Sequence, residues 1–193
     1  VDVGGAAFYA PKIDVFIEDA LGREWQTATI QLDYQLPQRF DLEYRAADGG
    51  FERPVIIHYA IFGTFERFIG VITEHYAGAF PLWIAPVQVM IVPIADRHAE
   101  YAATVRDRLF EAGIRVEVDD RSERMQAKLR DAQEQKVPVM AVVGDRDAEA
   151  GAVSPRLRTG ESSQGVPLED FLAELRGRIE ARELWPYAPE GAT

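Results

Sequence analysis

The chain has 193 residues, 47% of them hydrophobic and 27% charged, which suits one large or two small globular domains and excludes a disordered or collagen-like chain. No apolar run nears the roughly 20 residues that cross a bilayer. The absence of cysteine excludes disulfides, a catalytic thiol, iron–sulfur clusters and any Cys-containing zinc site made by this chain alone, and fits a reducing cytosol. Lys and Arg number 21 against 32 Asp and Glu, a net charge of −11, so no global positive field draws nucleic acid and RNA binding needs a local basic patch.

The chain opens at Val1 with no basic flank or apolar leader behind it, which reads as a piece of a longer protein. Its character changes near Pro81–Pro86, dividing residues 1–85 from 86–193. In the first part, Lys12–Glu18 and Glu24–Asp33 read as strands joined around Gly22. Phe40–Arg45 and Pro54–Tyr59 read as a second pair across the Asp48-Gly49-Gly50 turn. Gly63 ends that strand, and the Thr64 hydroxyl can cap a helix. Phe65, Phe68, Ile69, Ile72 and Tyr76 then recur at helical spacing on one apolar face, closed by Gly78.

The second part reads β-α-β-α-β, then a strand and a last helix. Val87–Ile94 suits a buried strand, Arg97–Ala112 a helix stopped by Gly113, and Ile114–Val118 a strand. Ser122–Glu134 is helical and Val137–Val143 is again fully apolar. Val153–Arg158 reads as an edge strand where Pro155 is tolerated, and Pro167–Leu184 as the closing helix. Residues 189–193 read as a frayed tail. The expected fold is an antiparallel α+β module followed by a small α/β module with a mixed sheet.

The sharpest motif runs from Ile57 through His58, Gly63, Thr64, Glu66 and Arg67 to Phe68, a strand, glycine turn and helix start. A guanidinium in the first turn can lie on a purine and meet phosphate charge, although a single such arginine is more often simply solvated. A lone histidine is more often structural than a ligand, because zinc needs three or four donors at once.

The wider constellation weighs more: Ala7-Phe8-Tyr9-Ala10-Pro11-Lys12, Gly22-Arg23-Glu24-Trp25-Gln26, Thr29-Ile30-Gln31-Leu32-Asp33, His58, Gly63-Thr64-Phe65-Glu66-Arg67-Phe68, His75-Tyr76-Ala77-Gly78 and Trp83-Ile84-Ala85-Pro86. In order and spacing it resembles the C-terminal part of class II aminoacyl-tRNA synthetases of the threonyl family. The resemblance implies the end of an antiparallel class II catalytic sheet over 1–85 and an anticodon-binding domain over 86–193. It implies ATP with Mg2+, threonine and tRNA(Thr) as partners, a cytoplasmic setting without membrane, and a homodimer for the full-length enzyme. It also implies a zinc ion held by one Cys and two His. His58 matches the last of these ligands, and the other two would lie upstream of Val1. Arg67 matches the motif 3 arginine on ATP, and Thr64 stands where the family usually has Ser. Gln26, Thr29 and Gln31 match positions lining the adenylate pocket, and Tyr9 and Lys12 match positions beside the reacting groups. Two departures stand out: Tyr59 where the family usually has Arg, and Ala10 where it usually has Gly. A synthetase-like RNA-binding module without catalysis, or an assembly partner of a synthetase, are the competing readings.

Gln26 and Gln31 are five residues apart, so an unbroken strand sends them to opposite faces. If both meet one ligand, a bulge or bend must lie between them. Otherwise only Gln31, in phase with Thr29, faces the pocket. In the second part Arg121, Arg124, Lys128 and Arg130, with Arg156 and Arg158, form a candidate positive stripe for an RNA loop, the bland alternative being solvated charge on surface faces. Resemblance implies anticodon contacts at Ser122, Arg130, Asp147 and Arg156, with Ser122 and Asp147 replacing the usual Asn and Glu.

Overall fold

Strands β1 (Lys12–Glu18) and β2 (Glu24–Asp33) form where side-chain alternation predicts them. Their turn places Gly22 at φ +75°, and the Asp19 carboxylate accepts the amides of Leu21 and Arg23, each at 2.9 Å. The computed structural model describes residues 7–9 and 11–186, so Ala10 and the tail at 189–193 lie outside the described residues. Two compact units emerge, Val1–His75 and Tyr76–Thr193.

In the first unit a short helix α1 (Leu36–Arg39) follows β2, with the buried Pro37 in its first turn. The expected pairing of Phe40–Arg45 with Pro54–Tyr59 is not what forms. The turn around Gly49 closes tightly, with Ala46 donating its amide to the Gly50 carbonyl at 2.8 Å, and pairs only β3 (Tyr44–Arg45) with β4 (Phe51–Glu52). Pro54 lacks the amide needed to extend that ladder. Strand β5 (Ile56–Ala60) pairs instead with β2, giving the antiparallel order β1-β2-β5. Gly63 at φ +69° then turns the chain into α2 (Phe65–His75). Thr64 caps α2 as its sequence position suggests, its hydroxyl accepting the Arg67 amide at 3.3 Å.

The second unit is a five-stranded mixed sheet of order β10-β9-β8-β6-β7. Its parallel centre comprises β6 (Val89–Pro93), β7 (Val116–Val118) and β8 (Val139–Val143). A 3-10 turn (Asp96–His98) and α3 (Ala99–Glu111) connect β6 to β7, and α4 (Met125–Glu134) connects β7 to β8. A six-residue helix α5 (Asp145–Ala150), strands β9 (Ala152–Leu157) and β10 (Val166–Pro167), and α6 (Leu168–Glu180) complete it. Strand β6 shows why the sheet needs two covers. Val89 and Ile91 pack with Val105, Leu109, Phe171 and Leu175 on one side, while Met90 and Val92 pack with Leu129 and Ala132 on the other. The expected edge strand is instead an inner one, β9 lying between β10 and β8; β10 pairs with it only at Ala152 and Val153, and Pro155, opposite Ala141 of β8, accepts the Ser163 amide at 3.0 Å through its carbonyl. Residues between α2 and β6 fold onto this unit: Leu82 is buried and donates its amide to the Trp185 carbonyl at 2.9 Å.

Candidate functional site

The β1-β2-β5 sheet has one polar face, and the register defines it. Lys12 lies opposite Gln31, Asp14 opposite Thr29, and Gln31 opposite His58. Residues facing each other across antiparallel strands share a face, so these five side chains do. Gln26 joins them through a β-bulge: Ala28 pairs with Val15 and Gln26 with Phe16, leaving Thr27 as the extra residue. That single insertion reverses the phase between Gln31 and Gln26. The Gln26 amide nitrogen donates to Asp14 Oδ1 at 2.7 Å, and Lys12 Nζ meets Asp14 Oδ2 at 2.7 Å. Tyr9 donates its hydroxyl to Gln31 Oε1 at 2.7 Å and holds its ring 5.9 Å from that of His58.

Arg67 reaches the same place from the helix. Its Nη1 donates to the Gln26 carbonyl at 3.0 Å. The approach depends on Gly63, where a Cβ would lie 3.0 Å from the Thr27 carbonyl oxygen, so the turn rests directly on the bulge. Arg67 therefore opens at the bulged end of the sheet and His58 further along its polar face.

Two carboxylates organise this face, and neither stands among the sequence-derived candidates. Asp14 joins Lys12 to Gln26, and Lys12 foremost holds its carboxyl below the usual carboxylate range. Asp33 has no exposed side-chain surface. Its Oδ1 accepts the amides of Gln35 at 2.8 Å and Leu36 at 2.9 Å, and its Oδ2 faces His58 Nε2 at 2.9 Å. Burial opposes ionisation of Asp33, yet the two amides and the His58 ring hold its carboxyl below the usual range. Only the strand pattern could have signalled them, Asp33 being in phase with Thr29 and Gln31 on β2 and Asp14 in phase with Lys12 on β1.

In the second unit, a cavity of about 250 Å³ opens beside Met125, Gln126, Leu129, Asp147 and Arg156. A neighbouring cavity of about 510 Å³ shares Ile94, Asp147, Ser154 and Gln164 with it. Both lie past the C-terminal ends of the parallel strands, where ligands of open α/β sheets characteristically bind. Arg156 Nε is buried there and makes no hydrogen bond among the described residues. Asp147 is more constrained: Oδ2 accepts the Gly144 amide at 3.0 Å and Oδ1 the Ser154 hydroxyl at 2.8 Å. The rim is pinned by Asp145, which takes two bonds from Arg97, at 2.9 and 2.6 Å, and faces His98 Nε2 at 2.9 Å. Arg97 foremost holds the Asp145 carboxyl far below its usual range.

Of the four anticodon candidates, Asp147 and Arg156 line one cavity. Ser122 lies in the exposed turn between β7 and α4, and Arg130 projects from α4 with its side chain 71% exposed. The expected positive stripe is interrupted: Arg124 and Arg130 are exposed on the surface, but three of its other cations are engaged within the protein. Arg121 is bound by Asp119 and Asp131, Lys128 is buried with Nζ 3.0 Å from the Asp119 carbonyl, and Arg158 donates to the carbonyls of Ala79, Phe80 and Lys136. Alternation in sequence placed these cations on one surface, but each is held by an acceptor of the protein itself.

Residues 2–76 match the tRNA synthetase class II core domain (G, H, P, S and T), and residues 88–178 match an anticodon binding domain. The chain belongs to the class II tRNA synthetases. It is 56% identical over 185 residues to a threonine–tRNA ligase of Deinococcus radiodurans, covering 94% of this chain and 28% of the relative. A threonine–tRNA ligase of a Sulfurihydrogenibium species is 55% identical over 95% of this chain and 29% of its own length. The chain thus spans under a third of these curated relatives. The crystal structure of the RNA binding domain of threonyl-tRNA synthetase from Cryptosporidium parvum superimposes with a TM-score of 0.81 at 38% identity, over 90% of this chain and 44% of that one.

Strand register places the departure at Tyr59. Tyr59 alternates with His58 and pairs with Ile30, so it points to the opposite, apolar face and is not beside the His58 ring. Among the described residues no three His, Cys, Asp or Glu side chains gather as a metal site, and no helix is long and apolar enough to cross a membrane.

Proposed function

We propose that this chain is the portion of a threonine–tRNA ligase that completes the ATP and threonine site and binds the tRNA anticodon, acting in the cytoplasm. The observation that carries this reading is the Thr27 bulge, which gathers Gln26, Thr29, Gln31 and His58 on one face with Arg67 at its end. The division of labour is 1–85 for the catalytic part and 86–193 for the anticodon part. Arg67 and Lys12 supply positive charge to ATP, held with Mg2+, and to the reacting carboxylate and α-phosphate. Gln26, Thr29, Gln31 and Tyr9 offer donors and acceptors that orient the bound groups, and Thr64 fixes the helix that carries Arg67. His58 suits a zinc ligand in one respect: its ring is part-exposed on the polar face and, among the described residues, engaged through Nε2 alone by Asp33. Zinc, when bound, supplies a Lewis-acid grip on the amino and hydroxyl groups of threonine, which valine lacks in part. This chain provides one ligand of the set.

In the second unit Arg156 offers an unpaired buried guanidinium N–H to a base edge, with Arg130 and Ser122 nearer the solvent and Asp147 at the cavity wall. Binding of tRNA(Thr) and of an unrelated tRNA to the chain, before and after Arg156→Ala, tests the reading. Loss of a base contact costs about 1–3 kcal/mol, roughly 5- to 150-fold in affinity. Equal retention of the two tRNAs would overturn it. The chain by itself is expected to give no threonine-dependent pyrophosphate exchange.

A further inference from the structure

The fully buried Asp33 does more than its hydrogen bonds to the backbone require. Its Oδ1 is committed to the amides of Gln35 and Leu36, which hold the carboxylate against the start of α1. Among the described residues Oδ2 has one partner, His58 Nε2, at 2.9 Å. A carboxylate only accepts, so the imidazole must donate there. When neutral, the ring then carries its proton on Nε2 and its lone pair on Nδ1. We infer that Asp33 is a positioning residue that fixes the His58 tautomer and presents Nδ1 as the metal-binding atom. This rests on the ligase reading, in which His58 holds zinc. A carboxylate behind a ligating imidazole also raises its donor strength, and removing such a partner typically weakens metal binding about 10- to 100-fold.

Asp33→Asn separates positioning from structure. The asparagine oxygen must take the place of Oδ1, since turning the amide would set its NH2 against two backbone N–H groups. Its NH2 then faces His58 Nε2 and donates to it, forcing the proton onto Nδ1. The fold is kept and the tautomer reversed. Long-range ¹H–¹⁵N NMR on the chain at about pH 8, above the ordinary imidazole range, reads this directly, with His58→Ala assigning the signals. The wild-type protein is expected to show a protonated Nε2 and a bare Nδ1, and Asp33→Asn the reverse. A bare Nε2 in the wild-type chain, or one tautomer in both, overturns the inference.

A second arm uses zinc held by diethylenetriamine, which leaves a coordination position open for a single imidazole. Titration is expected to shift the Nδ1 resonance of His58 and to need roughly tenfold more complex in Asp33→Asn. Attachment through Nε2, or equal binding by the two proteins, also overturns it. If the chain shows no preference for tRNA(Thr) while both arms succeed, it is the ligase reading that fails and not the role of Asp33.

Discussion

Gly63 is where the bulge, the turn and Arg67 depend on one another, so replacing it with alanine tests that arrangement most sharply. Two costs add. The residue sits at φ +69°, where a side chain costs about 1–3 kcal/mol. The new Cβ would also lie 3.0 Å from the Thr27 carbonyl oxygen and 3.4 Å from that of Gln26, both backbone atoms of the bulge that cannot swing aside as a side chain would. Gly70 is the matched control: it lies inside α2 with nothing within 4 Å of a built Cβ. Alanine there removes the glycine entropy cost and stabilises by about 0.5–1 kcal/mol. For a chain of this size each kcal/mol moves the melting temperature by about 2–4 °C. Calorimetry should show Gly63→Ala falling by roughly 2–12 °C and Gly70→Ala rising by about 1–4 °C. Shifts of the same sign, or no fall for Gly63→Ala, would refute the claim that the turn rests on the bulge.

Three further outcomes follow from the second unit. Asp119, held down foremost by Arg121, and Asp145, held down foremost by Arg97, have carboxyl groups depressed on folding. Their contribution is therefore complete above about pH 4 and is lost as pH falls through the depressed values. Urea midpoints measured from about pH 6 to about pH 2 should decline, and less steeply in Asp145→Asn; an unchanged decline counts against the Arg97–Asp145 clasp. Lys128→Met keeps the buried stem but loses the bonds to the Asp119 and Pro93 carbonyls, at 3.0 and 3.4 Å. Stability should drop by about 1–3 kcal/mol while the salt dependence of tRNA binding stays unchanged, whereas a phosphate contact would lower that slope by about 1. Arg158→Ala should lower the melting temperature of the second unit, and the folded fraction should bind tRNA with wild-type affinity. A selective loss of tRNA binding without destabilisation would return Arg158 to the RNA surface.

Much of this architecture is legible in the residue pattern, and the exceptions share a cause. The limits of β1 and β2, the Thr64 cap and the parallel core of β6 and β8 follow from local alternation, capping chemistry and apolar runs. The phase conflict between Gln26 and Gln31 even defines what the strand must do if both meet one ligand, and the extra Thr27 supplies that bulge. The partner of β5 was not legible, because pairing depends on what lies nearby in space, and the Gly49 turn closes before Pro54. Helix α5 has too few apolar residues for a period, leaving only the flanking Gly144 and the left-handed Gly151 as signals. Asp14 and Asp33 carry no signature distinguishing them from solvated acids until the folded strands bring Lys12, Gln26 and His58 to them.

The same distinction governs the apolar residues of the first sheet. Ile13, Val15, Ile30, Ile57 and Tyr59 alternate as a core-facing row should, yet they are exposed, while the Lys12, Asp14 and His58 row is the more covered one. Periodicity reports that side chains share a face; it carries no information on which face another layer covers. Helix α2 buries none of its residues against that row within the described first unit. In the second unit, by contrast, helices on both sides bury Val89 and Met90 alike, and there apolar spacing and core coincide. Charge behaves as apolarity does. Arg121 and Lys128 are spaced like a binding stripe, but a cation within reach of a carboxylate or an uncapped carbonyl is drawn to it before any RNA arrives. The chemically available groups are therefore found by asking which polar atoms the fold leaves unsatisfied, and Arg156 Nε passes that test where Arg121, Lys128 and Arg158 do not.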